Sequence, residues 1–111
     1  MQIIFETQQY SWSNTTLEEF LKSNTPSGWI DFFNREDIKD MIHTISNFLA
    51  YEASHNITIY PSITNVFRSL YSIDLNNLDV IIIGQDPYHD GAATGLAFDV
   101  YDYQKPNPSL R

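Results

Sequence analysis

The 111-residue chain has no cysteine. Disulfides and thiolate-held metals are therefore excluded, which suits an intracellular protein, in the cytoplasm or nucleus. It also lacks any apolar run long enough to span a bilayer, so no membrane partner is expected. Its most apolar stretch, Val80-Ile81-Ile82-Ile83, has only the length of a strand. Between Met1 and Trp12 no basic cluster precedes an apolar stretch, so no signal peptide is expected. Positive charge is scarce: Lys and Arg total 6 against 14 Asp and Glu, a formal net charge of −8. Nucleic-acid binders ordinarily carry a basic face, because neutralising phosphates supplies much of their affinity. This balance weighs against DNA binding by the chain alone. Repeats, low-complexity tracts and long linkers are absent too, which leaves one small domain or part of a larger one.

What is present reads first as helices. Thr15 with Glu18, or Thr16 with Glu19, fits a capping box ahead of Leu17-Glu18-Glu19-Phe20-Leu21. Pro26-Ser27-Gly28 ends that helix, and Trp29, Ile30, Phe32 and Phe33 form an apolar cluster suited to another short helical turn. Asn34 is the expected N-cap of the longest helix, with Glu36 and Asp37 in a first turn that favours negative charge. Ile38, Met41, Ile42, Ile45, Phe48 and Leu49 follow at helical spacing and predict a single core-facing stripe that fades near Ala53 to Asn56.

Beyond it, Ile57 to Pro61 reads as extended chain or a short strand. Ser62 is placed to cap a short helix carrying Val66, Phe67, Leu70 and Tyr71, and Asn76-Asn77 marks a turn. Val80 to Ile83 predicts a buried strand stopped by Gly84, and Gly95 to Val100 a second strand. Helices, a strand, a loop and another strand together predict an α/β class.

The loop between those strands carries the chemistry. Gly84-Gln85-Asp86-Pro87-Tyr88-His89 sets a carboxylate, a phenol and an imidazole directly after a strand, where open α/β sheets bind ligands. Gly84 frees the backbone to turn and Pro87 stiffens it next to Asp86. On residue types alone, Asp86-Pro87 reads equally as ordinary turn chemistry, Tyr88 as a packed ring and Phe98 as a strand core residue.

The order of these residues resembles the water-activating loop of the family-one uracil-DNA glycosylases. Gly95-Leu96-Ala97-Phe98-Asp99-Val100 is similar to the strand after that loop. Pro108-Ser109-Leu110-Arg111 is similar to the family's DNA-clamping loop. Upstream, Tyr60-Pro61 and Val66-Phe67-Arg68 resemble the segment before the first strand. The resemblance implies base-excision repair, the hydrolysis of the N-glycosidic bond of uracil in DNA, single- or double-stranded, with no cofactor and no metal.

It implies that Asp86 activates the attacking water and that Tyr88 fills the space a thymine methyl would need. Phe98 would stack on the extruded base, Gln85 would contact uracil or the water, and His89 would support the loop or touch substrate. Pro87, Pro108 and Ser109 would grip the DNA backbone. A metal trio of Asp86, His89 and Asp90 is a weaker alternative, because its spacing matches no familiar site.

The resemblance further implies that residues 1–111 are the amino-terminal part of a single glycosylase domain, monomeric at full length. N-terminal helices would be followed by the first two strands of a parallel four-stranded sheet flanked by helices. The family's later asparagine and its His-Pro-Ser segment have no counterpart before Arg111, so the chain alone is expected to be inactive or very weak. Two smaller departures stand out: the loop from Asp90 to Thr94 is one residue short of the family's spacer, and Asn107 stands where a further proline is frequent. The competing reading is a non-catalytic acidic binding module related to the glycosylase fold.

Overall fold

A computed structural model describes residues 10–87 and 91–96 of the chain. Its regular elements are four α-helices, α1 (Leu17–Ser23), α2 (Ile30–Phe33), α3 (Glu36–Ser54) and α4 (Arg68–Ser72), with short 3-10 turns at Ser27–Trp29, Ile63–Asn65 and Leu75–Asn77. No sheet forms among the described residues. The expected α/β class is thereby corrected to an all-helical body.

The helix starts follow from local chemistry. Thr16, extended at the N-cap of α1, accepts from the Glu19 backbone N–H, and the Glu19 carboxylate reaches back to the Thr16 N–H. Of the two candidate boxes, Thr16 with Glu19 is the one that forms. At α3 the cap is Arg35 rather than Asn34, because Asn34 is still helical and closes α2. Arg35 makes no cap hydrogen bond. Its guanidinium instead pairs with Asp37 at 2.8 Å, and Asp37 accepts from the Ile38 N–H at 3.0 Å. Hydrogen bonding from Arg35 is the main reason that the Asp37 carboxyl is held below its ordinary range.

The end of α3 is equally local. Asn56 takes a left-handed φ of 62°, the Asn56 N–H bonds to the Ala53 carbonyl at 3.2 Å, and the Ile57 N–H bonds to Glu52 at 3.2 Å. That pair is a Schellman closure, for which asparagine is the usual non-glycine residue.

Two apolar clusters make the core. Leu17, Phe20 and Ile63 pack with Tyr10, Trp12, Leu49 and Val66. Leu21, Trp29 and Phe33 pack with Phe32, Ile38, Ile42, Leu70 and Leu78. Phe67 touches both clusters and joins them. Aromatic edges meet faces throughout, as in Tyr10 on Phe20 at 4.9 Å and Phe33 on Phe67 at 5.5 Å.

Polar anchors complete the packing. The Ser46 hydroxyl, buried in mid-α3, accepts from the Glu18 N–H at the start of α1. The Trp12 indole donates to the Pro61 carbonyl at 3.0 Å, and the Trp29 indole donates to Ile73 at 2.7 Å. The Tyr71 hydroxyl donates to the Asn24 carbonyl. Burial, with a smaller contribution from Tyr10, pushes the Tyr71 phenol up to about 12, so it remains a donor at neutral pH.

The single stripe expected on α3 divides in two. Ile38, Ile42, Ser46 and Leu49 face the body, whereas Met41, Ile45, Phe48 and Tyr51 form a neighbouring stripe exposed at 45–62%. The reason is the size of the cover: α1 has 7 residues and α2 has 4, against 19 in α3. Two short helices shield only a narrow strip of a long one.

Val80 to Ile83 is the larger correction. These residues form no strand and are exposed at 66–87%. A high β-propensity describes fitness for a pleated, half-buried surface, and needs neighbouring strands to realise it. None is present among the described residues. Ile57 to Pro61 likewise forms no strand, and Gly95 to Val100 falls mostly outside the described residues.

Candidate functional site

The segment 79–87 leaves the body after Leu78, the last residue that packs on the second cluster. Gln85, Asp86 and Pro87 are all exposed. Among the described residues no hydrogen bond or salt bridge engages the Asp86 carboxylate, which points to solvent rather than into the core. With no partner among the described residues, that carboxylate is available to bind or orient a water.

Tyr88, His89, Phe98, Pro108 and Ser109 lie outside the described residues, as does Asp90 of the alternative metal trio. Of the expected site residues, only Gln85, Asp86 and Pro87 are placed.

The far end of the loop is anchored by residues to which the sequence assigned no role. Arg68, at the start of α4, donates from Nη1 to the Thr94 carbonyl at 2.9 Å. Ala93 and Thr94 are buried, and the Leu96 N–H donates to the Thr94 hydroxyl at 3.3 Å. Gly95 sits at φ 91°, and a Cβ there would lie 2.1 Å from the Asn65 carbonyl oxygen. Only glycine satisfies both that backbone conformation and that approach. Gly91, at φ 83°, lies beside the Tyr60 ring. Residues 91–96 therefore rest on the 60–68 segment, and the Trp12 bond to Pro61 ties that segment to the first core cluster. The one signal in the sequence was that Tyr60-Pro61 and Val66-Phe67-Arg68 stood in the same resemblance as the loop.

Electrostatically the segment is bare of cations. The described basic residues are Lys22, Arg35, Lys39 and Arg68, and the last is engaged with the Thr94 carbonyl. Three or more His, Asp or Glu side chains do not converge on a metal-sized site among the described residues. No described helix is long and apolar enough to cross a membrane.

A helical body that anchors the far end of a Gln-Asp-Pro loop is, in this chain, a homologue of part of uracil-DNA glycosylase, with the homology covering 75% of its length. The chain is 43% identical over 84 residues to the uracil-DNA glycosylase of Francisella philomiragia subsp. philomiragia, and 39% identical over 84 residues to those of Francisella tularensis subsp. holarctica and subsp. tularensis. In each case the matched stretch spans only 38% of the relative's own length. No protein-family model matches the chain. No solved structure matches it.

Proposed function

We infer that the chain supplies the water-activating part of a uracil-DNA glycosylase active site. The observation that carries this reading is the exposed, unengaged Asp86 within a Gln-Asp-Pro segment, in a chain homologous to these enzymes. The target base sits inside a duplex and must be extruded before its bond to the sugar is reached. Breaking that bond builds positive charge on the sugar, and an anionic carboxylate beside it stabilises that charge and orients the attacking water. Asp86 takes this role.

Tyr88 excludes thymine by occupying the methyl position, Phe98 stacks on the base, Gln85 contacts uracil or the water, and His89 supports the loop. Pro87, Pro108 and Ser109 contact the DNA backbone. With a net charge of −8, phosphate contacts here fall to hydroxyls and loop amides rather than to a basic patch. The substrate is uracil-containing DNA, no cofactor or metal takes part, and the setting is intracellular. The complete enzyme acts as a monomer. Because the matched stretch is 38% of each relative, the reaction belongs to the complete glycosylase, and the 111-residue chain alone is inactive or very weak.

Two assays test this. The chain alone, incubated with uracil-containing single-stranded DNA, is expected to release little free uracil; robust, Asp86-dependent release would contradict the fragment reading. A chimera in which this chain replaces the homologous stretch of the Francisella philomiragia enzyme is expected to release uracil, and Asp86→Asn to lower its rate by about 10²–10⁴-fold. A folded but inactive chimera would favour the acidic binding module instead.

A further inference from the structure

We propose that Arg68 is a positioning residue for Asp86, acting through its hydrogen bond to the Thr94 carbonyl. The proposal rests on the glycosylase reading above and deepens it at the same site.

Asp86 is not placed by its immediate surroundings. Among the described residues no backbone hydrogen bond uses residues 79–87, and none engages the Asp86 carboxylate. Its position therefore depends on where the segment is fixed at its two ends, because pinning both ends of a loop restricts everything between them. The near end is Leu78, which packs on the second core cluster. The far end is the stretch from Ala93 to Gly95. Ala93 and Thr94 are buried, and a Cβ on Gly95 would lie 2.1 Å from the Asn65 carbonyl oxygen and 2.9 Å from the Arg68 Cβ. Onto this close contact Arg68 adds a charge-assisted bond, from Nη1 to the Thr94 carbonyl at 2.9 Å. Phe67, next to Arg68 in the chain, packs on both core clusters. Arg68 thus refers the far end of the loop to the same body that holds the near end.

The surroundings of Arg68 suit this role better than a purely architectural one. Arg68 belongs to neither core cluster and is only partly buried. The chain carries 14 Asp and Glu, yet among the described residues none of them forms a salt bridge with this guanidinium. Its partner is a loop carbonyl instead. The consequence is kinetic: a displacement of about 1 Å at a reacting group can cost about 10²-fold in rate. With Thr94 released, the far end of the loop shifts and Asp86 spends less time in the reactive position. Substrate affinity is unaffected, because Arg68 acts on the loop and not on DNA.

The test has two arms, and the first needs no reaction. The chain has no cysteine, so Asp40→Cys on α3 and Asp86→Cys create a unique pair of spin-labelling sites. Arg68→Met removes the donors and keeps an apolar stem. It is expected to broaden the distribution of distances between the two labels, whereas Arg68→Lys, which retains a donor, keeps the parent's width. Circular dichroism of both variants should match the parent. The second arm uses the chimera with the Francisella philomiragia enzyme. There Arg68→Met is expected to lower kcat about tenfold with KM within about twofold of the parent, and Arg68→Lys to recover most of the loss. In the Asp86→Asn background the same Arg68→Met substitution is expected to cost less than about twofold, because the two residues act as a unit. An unbroadened distribution in Arg68→Met would overturn the proposal. So would a tenfold loss that persists in the Asp86→Asn background, or a loss confined to KM, which would make Arg68 a phosphate contact. The label distances are read without uracil release. A chimera inactive before any Arg68 substitution therefore counts against the glycosylase reading, and not against the placement of residue 86 by Arg68.

Discussion

Phe20 and Ile82 are both large apolar residues, yet they end in opposite places. Phe20 is fully enclosed, meets the Tyr10 ring edge to face and packs in the cluster of Leu17 and Ile63. Ile82 stands 74% exposed in a segment without backbone partners among the described residues. The helical body closes upon itself because its helices satisfy their own backbone and need only side-chain cover. The 79–87 segment has strand chemistry, and a strand depends on neighbouring strands, none of which is among the described residues. The exposed apolar run leads directly into Asp86 of the candidate site.

The contrast is broken most forcefully in the body. Phe20→Ala is expected to cost about 3–5 kcal/mol in urea denaturation, a large part of what a small domain has. Tyr71→Phe is expected to cost about 1 kcal/mol by removing the donor to the half-buried Asn24 carbonyl. It carries a pH signature as well. The folded Tyr71 phenol lies at about 12 against an ordinary 10.0, so the unfolded chain loses its proton first. The stability this group contributes is whole below pH 10 and is lost as pH rises through about 12. Denaturation midpoints measured across that window should fall for the parent chain and fall less for Tyr71→Phe.

Thr16→Ala, which removes the α1 cap, is expected to cost about 1 kcal/mol. Ile82→Ala is expected to leave the stability of the free chain within about 0.5 kcal/mol of the parent, since Ile82 is 74% exposed. A loss for Ile82→Ala comparable to that for Phe20→Ala would erase the distinction between the two regions.

Much of the body was legible in the sequence because its signals are local. The Thr16–Glu19 box, the acidic first turn at Glu36 and Asp37, and the end of α3 near Asn56 each rest on contacts within a few residues. The cap shifted from Asn34 to Arg35 for an equally local reason, since Asn34 serves the end of α2. The two larger misreadings are non-local. Periodicity identified Met41, Ile45 and Phe48 as apolar helix positions but carried no information on how short the covering helices are. Branched side chains from Val80 to Ile83 spell a strand, but the strands that would make it one are not among the described residues. At the candidate site, the sequence shows Asp86 as a carboxylate after an apolar run, and the structure leaves it exposed and outside any helix. The Arg68 bond to Thr94 was not, because it joins residues 26 positions apart.

Amide hydrogen exchange on the free 111-residue chain tests most directly whether the two regions differ as described. Amides in the middle of α3, from 42 to 50, should be strongly protected, and those of 80–83 should exchange at the rate of unstructured peptide. Equal protection in the two regions would contradict the division into a self-sufficient helical body and an exposed apolar segment.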